Sequence, residues 1–341
     1  MTFDRLSRAL VALLMAGALA ACSSPGGRSS TTPPARAGTA ELVVVTHDSF
    51  ALPDDLKARF AADNGLDVTY VAPGDGGALV NQLILTKDSP LGDVVFGIDN
   101  TIAGRATAEG VIATVDGQAL VPIDFGDVCI NADLTWFAEQ HLAVPATLDD
   151  LTRPEYKDLL VVSNPASSTP GLAFLAATVG AKGTSGYLAY WDSLVANGVK
   201  VVPGWTEAYY TEFSGADGKG PRPLVLSYST SPAFTLNADK TASTTTALLD
   251  TCFRQTEYAG VISGARNEAG ARKFIEFLLS PEVQAAIPEN MYMYPADTSV
   301  ALPEEWAKFA PLSKQPIEVS ESDITANRDD WIRAWTTHVT G

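Results

Sequence analysis

Between Glu41 and Asn100 the chain alternates uninterrupted apolar runs with amphipathic ones, and few folds accommodate that alternation. "AELVVVTHDSF" is a continuous β-branched run that reads as a buried strand. "LPDDLKARFAADNG" follows, with Leu56, Phe60 and Ala61 at helical spacing and a glycine stop. "LDVTYVAPG" is a strand again, "GGALVNQLILTK" a helix and "GDVVFGID" another buried strand. Such a pattern predicts an α/β lobe with a largely parallel sheet, whose ligand-facing loops lie at the carboxyl ends of the strands. Those ends carry Thr46 to Ser49, Pro73 to Gly77 and Gly97 to Asn100, small and polar residues that suit a crevice and also suit ordinary turns.

Beyond this lobe, "LVPIDFGDVCINAD" is a strand that changes character around Asp124 to Gly126, where we place a crossing into a second lobe. "TLDDLTRPEYKDLLVVSNPASSTPGLAFLAATVG" offers a helix, a strand and a second helix capped by Thr169 ahead of Pro170. That helix start presents free N–H groups, so Ser167, Ser168 and Thr169 can hold an anion or serve only as caps. "TSGYLAYWDSLVANG" places Tyr187, Leu188, Trp191, Leu194 and Val195 on one core-facing stripe. "PLVLSYSTSPAF" is a strand running into a helix start near Pro232, and "FRQTEYAGVI" is the return crossing. "NEAGARKFIEFLLSPEVQAAIPENMYMYPA" supplies two helices, with Phe274, Phe277 and Leu278 on the first, and an exposed aromatic turn. Trp306, Trp331 and Trp335 fall in C-terminal helical patterns as packing residues.

The N-terminus sets the compartment. Arg5 and Arg8 precede "ALVALLMAGALAA", an apolar run too short to span a bilayer comfortably, which reads as a secretion signal. Leu19, Ala20 and Ala21 before Cys22 resemble the lipobox of bacterial lipoproteins, in which the cysteine is lipidated. "SSPGGRSSTTPPARAGTA" has almost nothing to bury and reads as a disordered tether. The expected organisation is a signal over residues 1–21, a tether over 22–40, a first lobe over 41–125 that resumes over 255–341 together with the C-terminal helices, whose lobe the sequence leaves open, and a second lobe over 126–254. A monomer on the outer face of the cell membrane, held by Cys22, follows from that reading. In an oxidising compartment Cys129 and Cys252, the other two cysteines, are expected to form a disulfide. With 23 basic against 40 acidic residues the net charge is -17, which argues against nucleic acid and suits either a cationic ligand or simple solubility.

Motifs for catalysis or metal binding are sparse. His47, His141 and His338 belong to no HExxH spacing, and no G-x-S-x-G elbow or G-x-x-x-x-G-K-[ST] loop occurs. His47, Asp48 and Ser49 carry the residue types of a hydrolase triad, but as strand neighbours their side chains would alternate faces. The aromatic stretch "GWTEAYYTEF" leaves three readings: a metal clamp of Tyr209 and Tyr210, a stacking platform led by Trp205, or a helix face in the core. In a helix after Gly204, Trp205, Ala208 and Tyr209 share a stripe while Tyr210 turns about 100° away, which disfavours a two-tyrosine chelate. Trp205 and Tyr228 instead offer faces to an organic cation, about 0.5–2 kcal/mol per well-placed ring.

Taken together, "THDSF", "GDGGALVNQL", "GDVVFGIDN", "VPIDFG", "SSTPGL", "GWTEAY", "LSYSTSPA" and "AAIPENMYMYPA" resemble, in order from about Glu41 to the C-terminus, the thiamine-binding component of bacterial thiamine ABC transporters. The resemblance implies an α/β, two-lobed periplasmic-binding-protein type II fold with a hinge and an inter-lobe cleft. It further implies thiamine or its phosphates as ligand, a membrane ABC permease as partner, and neither cofactor nor catalytic step. The family's binding residues fall on Asp75 and Gly76, Ser168 and Thr169, Trp205, and Tyr228, Ser229, Thr230 and Ser231. His47 stands where the family often has tyrosine, and Asp99 and Asp124 are weaker candidates. A ferric-ion binding protein and a secreted hydrolase are the alternative readings.

Overall fold

The computed structural model describes residues 39–217 and 219–340; the expected signal, Cys22 and the expected tether up to residue 38 lie outside them, and Ala40, expected to end the tether, begins the first strand. Ten strands form one sheet: β1 (Ala40–Thr46), β2 (Leu66–Val71), β3 (Val94–Asp99), β4 (Val121–Asp133), β5 (Leu160–Ser163), β6 (Lys200–Val202), β7 (Leu224–Tyr228), β8 (Thr245–Ala247), β9 (Phe253–Val261) and β10 (Tyr294–Pro295). The main path runs β2-β1-β3-β9-β4-β7-β5-β6, with β8 and β10 paired to β4. At one end β2, β1 and β3 are parallel; at the other β7, β5 and β6 are parallel. Between them β4 and β9 run antiparallel to their neighbours and to each other, from Val121↔Ala259 to Val128↔Phe253. The expected crossings at Asp124 to Gly126 and in "FRQTEYAGVI" therefore fall within two strands hydrogen-bonded to each other.

Helices cover both ends of this sheet. On the first lobe α1 (Asp54–Asn64) stops at Gly65, whose φ of 60° is the left-handed cap that glycine tolerates. α2 (Gly76–Leu85) and α3 (Ala103–Ala108) follow β2 and β3. α4 (Leu134–Glu139) succeeds β4, and α5 (Thr169–Lys182) and α6 (Tyr187–Ala196) cover the second lobe. A short α7 (Trp205–Glu207) is followed by α8 (Glu268–Leu278), α9 (Pro281–Met291), α10 (Trp306–Phe309) and α11 (Glu321–Val339). The buried runs read from sequence are core: Val44, Val45, Val94, Val95, Phe96 and Ile98 are all fully buried.

Several local expectations need correction. On α6 the buried side chains are Tyr187, Tyr190, Trp191 and Leu194, while Val195 is exposed, because the helix turns its second face toward the segment around Leu148. Ser168, not Thr169, caps α5: its Oγ accepts from Gly171 N at 3.3 Å, and Thr169 and Pro170 are the first helical residues. The helix expected over "TLDDLTRPEY" is two single 3-10 turns, each begun beside a proline or an aspartate. α11 packs on α3 of the first lobe and α6 of the second, with Trp335 edge-on to Trp191 at 5.4 Å. The C-terminal helix thus touches both lobes, a placement the sequence leaves open.

Cys129, in β4, and Cys252, immediately before β9, form a disulfide across 123 residues of sequence. The bridge locks the two crossing strands where they enter the second lobe. The C129A/C252A double variant should lose about 2–5 kcal/mol of stability, read as a lower urea midpoint with an essentially unchanged native circular dichroism spectrum.

Candidate functional site

The site is built where the two lobes' strand ends converge. β1 ends at Thr46, so His47, Asp48 and Ser49 lie in the loop beyond it and not within a strand. His47 lies against Gly97: a Cβ there would come within 2.3 Å of the imidazole, and the residue's φ of 106° also favours glycine. His47 Nδ1 accepts from Ser49 N, and its Nε2 lies 3.7 Å from Glu257 Oε2. Burial pulls the imidazole down to about 4, so it is neutral at physiological pH.

Asp75 is the N-cap of α2 and fastens three segments. Its Oδ1 accepts from Gly76 N at 2.6 Å and from Thr169 N at 3.0 Å, and its Oδ2 accepts from Trp205 N at 3.0 Å. One carboxylate therefore joins the first lobe to the starts of α5 and α7 in the second. The approach is close because α2 begins with glycines: a Cβ on Gly76 would meet Thr169 Cγ2 at 2.7 Å and Gly97 O at 2.9 Å. Ala78 N donates to Ser167 O, and the Ser49 and Thr206 hydroxyls lie 3.2 Å apart, so the lobes touch along this seam. Burial raises the Asp75 carboxyl, while the bonds from Trp205, Thr169 and Ser168 pull it back down.

The opposite wall is aromatic. Trp205 stacks on Tyr209 with centroids 5.2 Å apart and an interplanar angle of 17°, and meets Tyr210, Tyr228 and Tyr292 edge-on. Its indole N–H donates to Ser227 Oγ at 2.9 Å, which fixes the ring without using its face. Beyond α7 the chain winds into a π-helical segment, Ala208–Glu212. The wider turn keeps Tyr209 stacked on Trp205 but brings Tyr210 to the cleft, where its hydroxyl lies 3.0 Å from that of Tyr292. Tyr210, expected from an ideal helix to face away, is thus a cleft residue and Tyr209 backs the wall. Met291, Tyr292 and Met293, expected as an exposed turn, also line the cleft, and Tyr292 adopts a left-handed φ of 61° to do so.

Five of the ten residues singled out for ligand binding line this cavity: His47, Asp75, Thr169, Trp205 and Tyr228. The other five are buried just behind its walls. Gly76 sits at the seam and Ser168 caps α5. The Ser231 hydroxyl bonds that of Ser227 at 2.8 Å, and Thr230 donates to the carbonyl of Tyr292. Ser229 Oγ is buried without a partner. Asp99, also behind the wall, accepts from Thr101 and Gln255 and is raised by burial to about 6.

Two carboxyls form the floor. Glu257 of β9 lines the cavity, and Asp124 of β4, its register partner across the crossing strands, lies beneath it. Glu257 is not among the residues that the sequence singles out. Its signal was the alternation in β9, where Phe253, Gln255, Glu257 and Ala259 share the buried face. An acidic residue at an inward position of a central strand is unusual enough to mark a site. Among the described residues, no lysine or arginine lines the cavity, and no cluster of three His, Cys, Asp or Glu is placed to hold a metal ion.

Two α/β lobes on a shared pair of crossing strands, with a ring-walled acidic cavity at their seam, define a small-molecule binding protein. The chain belongs to the bacterial extracellular solute-binding protein family, whose pattern matches residues 101–318. It is 31% identical over 318 residues to the thiamine-binding periplasmic protein of Brucella melitensis, covering 89% of this chain and 93% of that one. The thiamine-binding periplasmic protein of Escherichia coli K12 is 31% identical over 314 residues, covering 86% and 92%. A solved periplasmic thiamin binding protein superposes with a TM-score of 0.77 at 29% identity, covering 88% and 96%. A ferric binding protein from Campylobacter jejuni superposes at 0.67 with 15% identity, a likeness of fold alone. The fold is the two-lobed type II arrangement of periplasmic binding proteins.

Asp75 makes a direct test of the seam. Asp75→Asn places an amide N–H against a backbone donor, so the unliganded variant should open, with a larger radius of gyration in small-angle X-ray scattering. It should also lose about 1–3 kcal/mol of stability.

Proposed function

We propose that this protein captures thiamine between its lobes and delivers it to an ABC permease in the membrane. The observation that carries the reading is the cavity itself, a neutral imidazole and four aromatic rings over uncompensated carboxyls, joined to whole-length similarity with proteins named for thiamine binding. Thiamine has a flat aminopyrimidine and a thiazolium with a fixed positive charge. Trp205 and Tyr228 supply ring contacts and the acidic floor supplies the opposite charge. His47, Asp75 and Thr169 offer polar contacts at the rim, while Gly76, Ser168, Ser229, Thr230 and Ser231 act by shaping and holding the wall. No catalytic role is assigned to any of them.

Free thiamine should be preferred to its phosphates. The start of α5, where the sequence allows an anion or only a cap, already receives the Asp75 carboxylate, and no basic side chain of the described residues lines the cavity. The ferric reading is weaker, because Tyr209 backs Trp205 while Tyr210 is turned to Tyr292, and burial raises both phenols away from the phenolate form that iron would need. Lipidation at Cys22 would hold the protein at the outer face of the membrane as a monomer; no helix of the described residues is long and apolar enough to cross it.

Calorimetry should show binding in the order thiamine, monophosphate, diphosphate, with Trp205→Ala weakening thiamine by about tenfold to thirtyfold. No heat with thiamine, together with a coloured Fe(III) complex, would replace this reading with the ferric one.

A further inference from the structure

The carboxyl pair at the floor of the cavity has a property that the ring wall does not explain. On β4, Asp127 is paired with Arg254 and accepts from Ser313 N, so its charge is answered. Three residues earlier Asp124 is fully buried, and neither of its oxygens has a donor. It rests against Glu257, so the hydrogen bond open to it is one made by a proton held between the two carboxyls. Every other titratable group facing this pair fails to supply a positive charge. His47, beyond β1, is neutral, with Nε2 unpartnered and directed at Glu257. Asp48, from the same loop, Asp75 at the start of α2 and Asp99 at the end of β3 are acidic, and Tyr228 at the end of β7 is held in its neutral form. Two buried carboxylates in contact without a cation cannot both ionise.

We propose that Glu257, backed by Asp124, is the counter-charge that selects a cationic ligand, and that entry of the cation expels the proton the two carboxyls share in the empty cavity. The inference rests on the thiamine reading and adds to it the group that discriminates charge. Burial comes first and the neighbouring carboxyl second in raising Glu257 well above the usual carboxylate range; burial carries Asp124 to about 8. The empty pair therefore carries a proton at neutral pH, and a fixed positive charge above it lowers both carboxyls and releases that proton. The sign follows: protons compete with the cation, so affinity is weakest in acid and rises as pH approaches 8. The slope is set by the protons released, about tenfold per pH unit for one proton. A neutral ligand of the same shape gains nothing from this exchange.

The test compares thiamine with 3-deazathiamine, in which a neutral thiophene replaces the thiazolium, by calorimetry in buffers of different ionisation enthalpy between pH 6 and 8. For the wild type we expect proton release with thiamine, none with the neutral isostere, and thiamine affinity that rises with pH. Glu257→Gln keeps a hydrogen-bond donor for Asp124, as the protonated acid does. It should weaken thiamine at least tenfold more than deazathiamine, and the D124N/E257Q double variant should bind without releasing a proton. Equal losses for both ligands, or pH-independent thiamine binding without proton release, would overturn the inference while leaving thiamine as the ligand. Failure of the wild type to bind thiamine at all would overturn the functional reading beneath it. Unchanged binding of deazathiamine by E257Q shows that the variant is folded.

Discussion

The antiparallel pairing of β4 with β9 is the constraint on which the rest of this structure depends. These two strands belong to both lobes at once, so each lobe's parallel strands are continued through them into a single sheet. The pairing sets what lies at the seam: Asp124 and Glu257 face each other because Asp124↔Glu257 is a register pair, and the disulfide closes the same ladder a few residues on. A shift of one residue in β9 would turn Glu257 away from the cavity and put Tyr258 or Thr256 in its place. The charge of the site is thus a property of strand register as much as of residue identity.

Around that ladder the protein assembles a cavity that favours function at some expense to stability. Asp124 and Glu257 are carboxyls buried together without a cation, and His47 Nε2 and Ser229 Oγ are buried without a protein hydrogen-bond partner, an arrangement that costs free energy. Asp75 offsets part of that cost by satisfying three backbone donors from two lobes with one carboxylate. The disulfide ties β4 to the start of β9, and α11 packs on both α3 and α6, so the lobes are joined there independently of the seam at the cleft. Across the seam the lobes meet through a few hydrogen bonds and the contact of glycines at the start of α2 with the loop before α5.

Much of this was legible in the sequence. The first lobe's strands and helices followed from hydrophobic period, since each buried strand is a plain β-branched run and each helix has a clean glycine or polar stop. Trp205, Tyr228, Asp75, Thr169 and His47 are named by the family resemblance, and their places at strand ends and helix starts agree with it. What stayed hidden depends on geometry that period does not encode. The π winding after α7 rotates Tyr210 into the cleft, against the ideal-helix expectation. The "NMYMY" turn folds inward with Tyr292 in a left-handed conformation, which hydrophobicity does not reveal. Glu257 is hidden in the sequence because its importance lies in what β4 places beside it, and the hydroxyls of Ser168 and Ser231, ligand contacts by the resemblance, serve as a cap and as a strut.

The central claim is that an organic cation sits in this cavity with its positive ring over the β4–β9 carboxyls and its flat ring against the aromatic wall. A crystal structure of the protein with thiamine tests it most directly. The account expects the thiazolium in contact with the Glu257 carboxylate and the aminopyrimidine against Trp205 or Tyr228, with the Asp75 bonds to Thr169 and Trp205 intact. Thiamine bound outside this cavity, or bound within it with the thiazolium turned away from Glu257, would contradict it.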